Sequence, residues 1–217
     1  MRPPGVYGPQ ADTDLLTETL IAVGVPAGAR VLDIGTGTGA LAVAAARAGA
    51  GSVTAVDVSR RAVLAARFNA TVRRLPVRVC HGDVFEQAAG QRFDVIVANP
   101  PYVPAERGTL PVRGRARAWD AGTDGRALLD PICARAPDLL APGGMLLVVH
   151  SVVSGVEASL RRLNSVGMTA TVVARRTERF GPVMRGRRRL LRERGLISGG
   201  QRHEELVVIR ADRQGDA

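Results

Sequence analysis

The sequence predicts an α/β domain built on a seven-stranded, mostly parallel sheet with helices on both faces. Three observations carry that expectation. Short runs rich in Val, Ile, Leu and Ala alternate with helical stretches along the chain. The runs are apolar almost throughout, as strands covered on both faces are. Glycines or polar residues stand at the ends of successive runs, where a parallel sheet gathers its loops on one rim.

The elements follow in order. Arg30 to Ile34 is a first strand that runs into a glycine-rich turn. Ala40 to Ala48 is an Ala-rich helix that Gly49 and Gly51 can end. Ser52 to Val56 is a second strand, closed by Asp57, and Ser59 can cap a helix reaching Thr71. Val77 to Cys80 and Phe93 to Ala98 are the third and fourth strands. Asp124 to Leu140 is helical, with a kink or a break expected at Pro131 and Pro137. Met145 to His150 is a fifth strand, Val156 to Leu163 a helix, Thr169 to Ala174 a sixth strand and Leu206 to Ile209 a seventh. Residues 175–203 show no simple strand periodicity; within them Met184 to Arg194 reads as a basic helix. A single domain over residues 1–217 is expected, with 1–28 as an N-terminal lid segment and 175–203 as an Arg-rich insertion before the last strand.

Composition narrows the function. Hydrophobic residues make up 46% of the chain and charged residues 23%, a globular balance. Aromatics are only 3%, too few to build a platform on which several bases stack. The formal charge is +10, carried entirely by arginine on the basic side. Eleven arginines against Glu178 and Glu193 lie between Arg161 and Arg194, which suits either a solvated face or contact with an acidic partner or with ribosomal RNA. Cys80 and Cys133 match no metal-ligand spacing, and no metal is expected; two buried thiols fit a reducing cytoplasm. Met1-Arg2-Pro3-Pro4 opens no signal peptide and no apolar run approaches a membrane span, so a cytoplasmic protein without membrane contact is expected.

The chemistry is concentrated at the strand ends. Asp33-Ile34-Gly35-Thr36-Gly37-Thr38-Gly39 leads from strand to helix through glycines that let the backbone approach a ligand. Gly35, Gly37 and Ala40 formally satisfy a dinucleotide pattern, but a pyrophosphate does not favour a carboxylate beside the turn. Asp33 suits a cationic ligand instead, such as the amino-acid end of S-adenosylmethionine (AdoMet). Asp57 can hold a ribose diol, and Asp83 can meet an adenine amine; both can also merely cap the turns that follow. Val58 and Val84, next to these carboxylates, complete the candidate cofactor set with Thr36. Asn99-Pro100-Pro101-Tyr102 then follows the fourth strand. Neither proline has an N–H to compete for nearby acceptors. The Asn99 side-chain oxygen and the Pro100 carbonyl can each accept one hydrogen from a planar NH2 group, with Tyr102 packed on its face.

In this order, Asp33, the glycine turn, Asp57, Asp83 and Asn99-Pro100-Pro101-Tyr102 resemble class I AdoMet-dependent methyltransferases, and more closely the HemK-type glutamine methyltransferases that modify peptide-chain release factors. The resemblance covers about residues 6 to 150. It implies a Rossmann-like fold with the last strand antiparallel, AdoMet as methyl donor, and a release-factor glutamine as acceptor. Val6-Tyr7-Gly8-Pro9-Gln10-Ala11-Asp12-Thr13 is similar to the Tyr-x-Pro-x-x-Asp-Thr segment of the short archaeal and eukaryotic branch, which implies that Thr13 lies against the cofactor; Asn99 is also a candidate cofactor contact. Trp119 to Gly125 resembles the Gly-x-Asp-Gly segment that follows the Asn-Pro-Pro-Tyr loop. The N-terminal helical domain of long bacterial members has no counterpart in the 28 or so residues before the first strand. Some short members depend on a small activator subunit. The same turn also serves adenine N6 and guanine N2 methyltransferases, so an RNA or DNA amine is the alternative acceptor; an NAD-dependent oxidoreductase and a non-catalytic AdoMet-binding scaffold are weaker readings. Gly199-Gly200-Gln201 repeats the tripeptide in which release factors carry their modified glutamine, and is also ordinary loop composition.

Overall fold

The computed structural model of the protein describes residues 6, 8–106, 108 and 115–215, the side chains of residues 115 and 117 apart. Seven strands form one sheet in the order β3-β2-β1-β4-β5-β7-β6. They are β1 (Arg30–Ile34), β2 (Ser52–Asp57), β3 (Val77–His81), β4 (Phe93–Ala98), β5 (Leu140–Ser151), β6 (Met168–Arg179) and β7 (His203–Arg213). β1 to β5 pair in parallel, and β7 runs antiparallel between β5 and β6. The last strand alone is therefore reversed, as the resemblance implies. Ile34 pairs with both Val56 and Ala98, and Asp57 with His81, so β1, β2, β3 and β4 end on one rim.

Among the described residues seven α-helices accompany the sheet: α1 (Ala11–Val23), α2 (Ala40–Arg47), α3 (Arg60–Thr71), α4 (Val84–Gln87), α5 (Leu129–Leu139), α6 (Val156–Ser165) and α7 (Pro182–Glu193). Alternate residues of each inner strand face opposite ways. Val31, Val95 and Leu147 pack with Leu16, Leu20, Leu41 and Val63 of α1, α2 and α3. Leu32, Ile96 and Leu146 pack with Leu129, Cys133 and Leu163 of α5 and α6. Both cysteines are buried free thiols. A third cluster, with Val103, Val153, Phe180, Met184 and Leu191, seats α7 against the loop that follows β4. No helix among the described residues is long and apolar enough to cross a membrane.

Several elements differ from the sequence expectation. The N-terminal segment holds a full helix, α1, which no capping side chain announces at Gln10; its apolar stripe is only Leu15, Leu16 and Leu20 among polar residues. α5 is a single helix. Pro131 falls in its first turn, where the missing N–H has no intrahelical partner anyway, and Pro137 sits near its end. The largest difference lies in residues 175–203. Arg175 to Arg179 prolong β6, paired from Arg175 with Val207 to Arg179 with His203. The run is masked in the sequence because its half-buried positions alternate with exposed ones and arginines occupy both. Beyond Ser151, which pairs with Leu206, the β6–β7 hairpin continues without β5 and overhangs the rim.

Candidate active site

The glycine turn after β1 is held by carboxylates rather than open to them. Gly35 and Thr36 donate their backbone N–H groups to Val56 O at 2.9 and 3.0 Å. Asp57 Oδ2 accepts from Gly37 N at 2.9 Å, and its Oδ1 accepts from Ser59 N at 2.8 Å. Asp57 thus ties the turn to the end of β2. Asp83 caps α4, its Oδ1 accepting from Phe85 N and Glu86 N at 2.8 and 3.4 Å. The simple capping role is therefore present at Asp83. Val58 is 48% exposed beside the turn, an apolar side chain at the rim, whereas Val84 packs partly into the core below.

Asp33 is different in kind. It is fully buried. Its Oδ2 accepts from Thr36 Oγ1 at 2.6 Å and from Ala42 N at 3.0 Å, while Oδ1 has no hydrogen-bond partner. Burial pushes its pKa from 3.8 up to about 7, the two hydrogen bonds opposing and the Asp57 charge adding to the rise. The folded protein therefore keeps a proton that the unfolded chain releases above pH 3.8. Stability from this group is fullest below that pH, declines as pH rises, and levels off above about 7. Melting temperatures of the ligand-free protein are expected to fall across this window, and Asp33→Asn to flatten the fall. A constant offset between the two proteins at every pH would disprove it.

The Asn99 loop is oriented by α1. Asp12 and Thr13 are both buried in its first turn. The Thr13 hydroxyl donates to Asp12 Oδ1 at 3.3 Å, and Thr13 Oγ1 accepts from Asn99 Nδ2 at 3.1 Å. With its proton directed at Asp12, the Thr13 oxygen is an acceptor, which turns the Asn99 amide so that its NH2 faces Thr13 and its oxygen faces away. Tyr102 OH donates to Asp12 Oδ2 at 3.1 Å, and the Tyr102 carbonyl accepts from Ser154 Oγ at 2.6 Å. Asn99, Pro100, Pro101 and Tyr102 line a cavity of about 280 Å³ together with Trp119 and Glu204. Tyr7 lies outside the described residues.

Known proteins resemble this chain in sequence and fold. Residues 1–113 fit the family described as the methyltransferase small domain. A Methanocaldococcus jannaschii protein, provisionally named a protein N5-glutamine methyltransferase, is 33% identical over 181 residues, 83% of this chain and 90% of its own length. The release factor glutamine methyltransferase of Bordetella pertussis is 40% identical over 155 residues, 68% of this chain and 57% of its own length. The chain belongs to the methyltransferase small-domain family, among the glutamine methyltransferases. It spans little more than half the length of the bacterial release-factor relatives it matches. In three dimensions it is similar to a chain of the E. cuniculi Mtq2-Trm112 complex, described as methylating the termination factor eRF1, with a TM-score of 0.66, 21% identity and coverage of 97% of this chain and 99% of that one. It is also similar to a T. thermophilus 16S rRNA guanine N2 methyltransferase bound to AdoMet and guanosine, with a TM-score of 0.61, 24% identity and coverage of 98% of this chain and 46% of that one. These likenesses establish the class I methyltransferase fold.

In this methyltransferase the loop after Tyr102 is held from two sides. Val103 N donates to Trp119 O at 2.8 Å, Ala121 N to Val103 O at 3.1 Å and Ala105 N to Gly122 O at 2.7 Å, so the Trp119–Gly125 segment lies along the strand-like start of the loop. Beneath it Arg126 is buried and donates to Ser154 O at 2.6 Å and Ser159 Oγ at 3.2 Å. Ser159 Oγ also meets His150 Nε2 at 3.1 Å. Burial lowers the His150 pKa to about 4, with the Arg126 charge acting the same way, so this imidazole is neutral and structural. From above, Arg187 bonds Asp120 Oδ1 at 2.7 Å and Pro104 O at 2.9 Å, and Arg194 bonds Thr123 O at 2.6 Å. Two arginines of the basic segment therefore fasten the loop; Arg185, Arg188, Arg189 and Arg192 are exposed. Gln201 closes its own turn, accepting from Ser198 N at 3.1 Å and donating to His203 O at 2.8 Å.

Sequence reasoning passed over Asp12, Trp119, Ser154 and Glu204 as site residues. Asp12 and Trp119 stood inside recognised segments. Ser154 and Glu204 carry no local signal, because only the sheet brings them to Tyr102 and the cavity.

Proposed function

We propose that this enzyme transfers a methyl group from AdoMet to the side-chain amide nitrogen of a glutamine in a protein such as a peptide-chain release factor. The observation that carries the reading is the Asn99 amide, held through its Nδ2 by Thr13, in the lining of the cavity; its Oδ1 would be the acceptor for the target. The residues also fit the donor: Asp33 Oδ1 is a buried oxygen without a partner, suited to an ammonium group beside the glycine turn. AdoMet, when bound, supplies an electrophilic methyl on a sulfonium.

Thr36, Gly35, Gly37 and Gly39 would surround the amino-acid end of the donor with Asp33. Asp57 and Val58 would face the ribose and base, Asp83 and Val84 the adenine edge, and Thr13 and Asn99 the reacting end. An amide nitrogen is a weak nucleophile because its lone pair is delocalised. Asn99 Oδ1 and the Pro100 carbonyl would each accept one N–H of the target, aligning its lone pair with the methyl carbon and stabilising charge as it develops. Pro101 and Tyr102 would confine the amide plane. The N–C bond forms as the S–C bond breaks, and the extra proton leaves the nitrogen afterwards. Placement alone can contribute about 7–11 kcal/mol through effective molarity.

A reducing cytoplasm, where release factors work and buried thiols persist, is the fitting compartment. A small activator subunit would have a candidate face: Leu64 and Phe68 of α3 and Val72 at its C-terminal end are 61%, 49% and 56% exposed in one stripe beside the edge strand β3. One experiment tests substrate and subunit together. The purified chain is incubated with methyl-labelled AdoMet and either release factors or ribosomal RNA, and the labelled residue is mapped. Label on a release-factor glutamine is expected. Label on a nucleobase amine would overturn the reading, and full activity of the chain alone would dispose of the activator.

A further inference from the structure

The outer face of α7 carries charge that nothing in the fold uses. Arg185, Arg188, Arg189 and Arg192 stand at i, i+3, i+4 and i+7, which places them in one stripe about 10 Å long. All four are exposed. The opposite face is occupied: Met184 and Leu191 are buried, and Arg187 is bonded to Asp120 and Pro104. Arg189 pairs with Glu193 at 2.8 Å, a solvated pair that a stronger acceptor can displace. Arg185, Arg188 and Arg192 have no hydrogen bond or ion pair among the described residues. Glu193 is the only acidic residue of the helix. Arginines at these spacings repel one another, so the stripe weakens the helix that carries it. A face kept merely soluble would mix the two signs. The stripe begins beside the acceptor cavity, which Gly181, Pro182, Val183 and Met184 help to line. Arg179 and Arg202, exposed at the end of β6 and just before β7, add positive charge next to the helix start.

Guanidinium forks in a row complement a row of anions. The class of partner follows from what the stripe lacks. No large apolar side chain of α7 is exposed and the helix has no aromatic residue, whereas a protein interface needs apolar anchors at its centre. Phosphate contacts need only charge in line. With its inner face fixed on the loop after β4, α7 cannot sink into the wide major groove of B-form DNA; it can only lie against a surface. Double-helical RNA suits that geometry, because its major groove is narrow and draws two phosphate rows together. We infer that the outer face of α7 is a docking surface for the phosphate backbone of a structured RNA, bound without regard to sequence and outside the acceptor cavity. The inference goes beyond the glutamine reading: the RNA is held, and the methyl group goes elsewhere.

Fluorescence anisotropy of two labelled RNA hairpins of unrelated sequence, titrated with the full chain and methyl-labelled AdoMet over a series of salt concentrations, tests the surface. Equal affinities for the two hairpins are expected, with log K falling linearly with log salt. Arg185→Gln, Arg188→Gln and Arg192→Gln combined in one variant should weaken binding at least about tenfold at low salt and reduce the salt slope by roughly one per arginine. A control variant removes equal charge far from the rim: Arg47→Gln, Arg78→Gln and Arg92→Gln, exposed at the end of α2, early in β3 and just before β4. It should bind the hairpins nearly as the wild type does. Unchanged AdoMet affinity in both variants is the check on folding. No RNA binding at low salt, a stripe variant that binds like the wild type, or a control that weakens binding equally overturns the surface and leaves the glutamine reading standing. Polyglutamate bound through the stripe more tightly than RNA overturns it in favour of an acidic protein, and tighter binding of a DNA duplex overturns the choice of RNA. Methyl label on the hairpins would place them in the acceptor cavity, and both the surface and the glutamine reading would fall.

Discussion

Asn99→Ala is expected to lower kcat about a hundred- to a thousandfold, the usual consequence of deleting one preorganised group that stabilises transition-state charge. AdoMet binding should stay close to that of the wild type, because Asp33, Asp57 and the glycine turn are untouched. The size of the loss follows from how the amide is held. Asp12 fixes the Thr13 hydroxyl, and Thr13 fixes the Asn99 NH2 at 3.1 Å, so the acceptor oxygen is already aimed before substrate arrives. Thr13→Val tests the aiming separately. It keeps Asn99 but removes the oxygen that holds its NH2, so kcat should fall by a smaller factor than in Asn99→Ala. Single-turnover methyl transfer at saturating AdoMet measures both. Near-normal turnover in Asn99→Ala would end the proposed role of the loop.

Gly125→Ala is expected to damage the enzyme at least as severely, without touching any reacting atom. Gly125 has φ of +77°, a conformation that resists side chains. An added Cβ would be driven into the Tyr102 carbonyl and would stand 3.0 Å from Ser154 Oγ. These two atoms are partners in the 2.6 Å bond that anchors the loop. Neither can yield easily: one is backbone, and the other belongs to a loop held by Arg126. Overpacking of this kind costs about 1–3 kcal/mol, with about 1–2 kcal/mol more for the left-handed backbone. The variant should melt at a lower temperature, and kcat/KM should drop with the displaced Tyr102. Unchanged melting and activity would show that the Gly-x-Asp-Gly segment does not brace the loop as described.

Much of the fold was legible because strands of a parallel sheet advertise themselves. Val31 to Ile34, apart from Asp33, and Val95 to Ala98 are apolar on both faces, and both sequence runs became inner strands. The hairpin of β6 and β7 was legible only in its middle. Its outer half has one pairing partner on each strand, polar side chains on both faces and no run of hydrophobics to mark it. α1 was missed for a related reason: only three leucines mark its buried face, and the other buried positions, Asp12, Thr13 and Thr19, are polar. The carboxylates at strand ends were readable as a set, yet their local bonds were not. Asp57 and Asp83 are partly engaged in tying turns, and only Asp33 keeps a buried oxygen without a partner.

The sequence by itself determined the sheet, the order of the strand-end groups and the Asn-Pro-Pro-Tyr loop, because each is encoded by neighbours within a few residues. Tertiary structure alone decided which way the Asn99 amide points and what stands across the cavity from it. Thr13, Ser154 and Glu204 come from α1, the turn that follows β5 and the start of β7, far apart in the chain. Hydrogen-bond direction depends on which atoms meet, and these atoms meet only once the sheet has closed and the β6–β7 hairpin overhangs its rim.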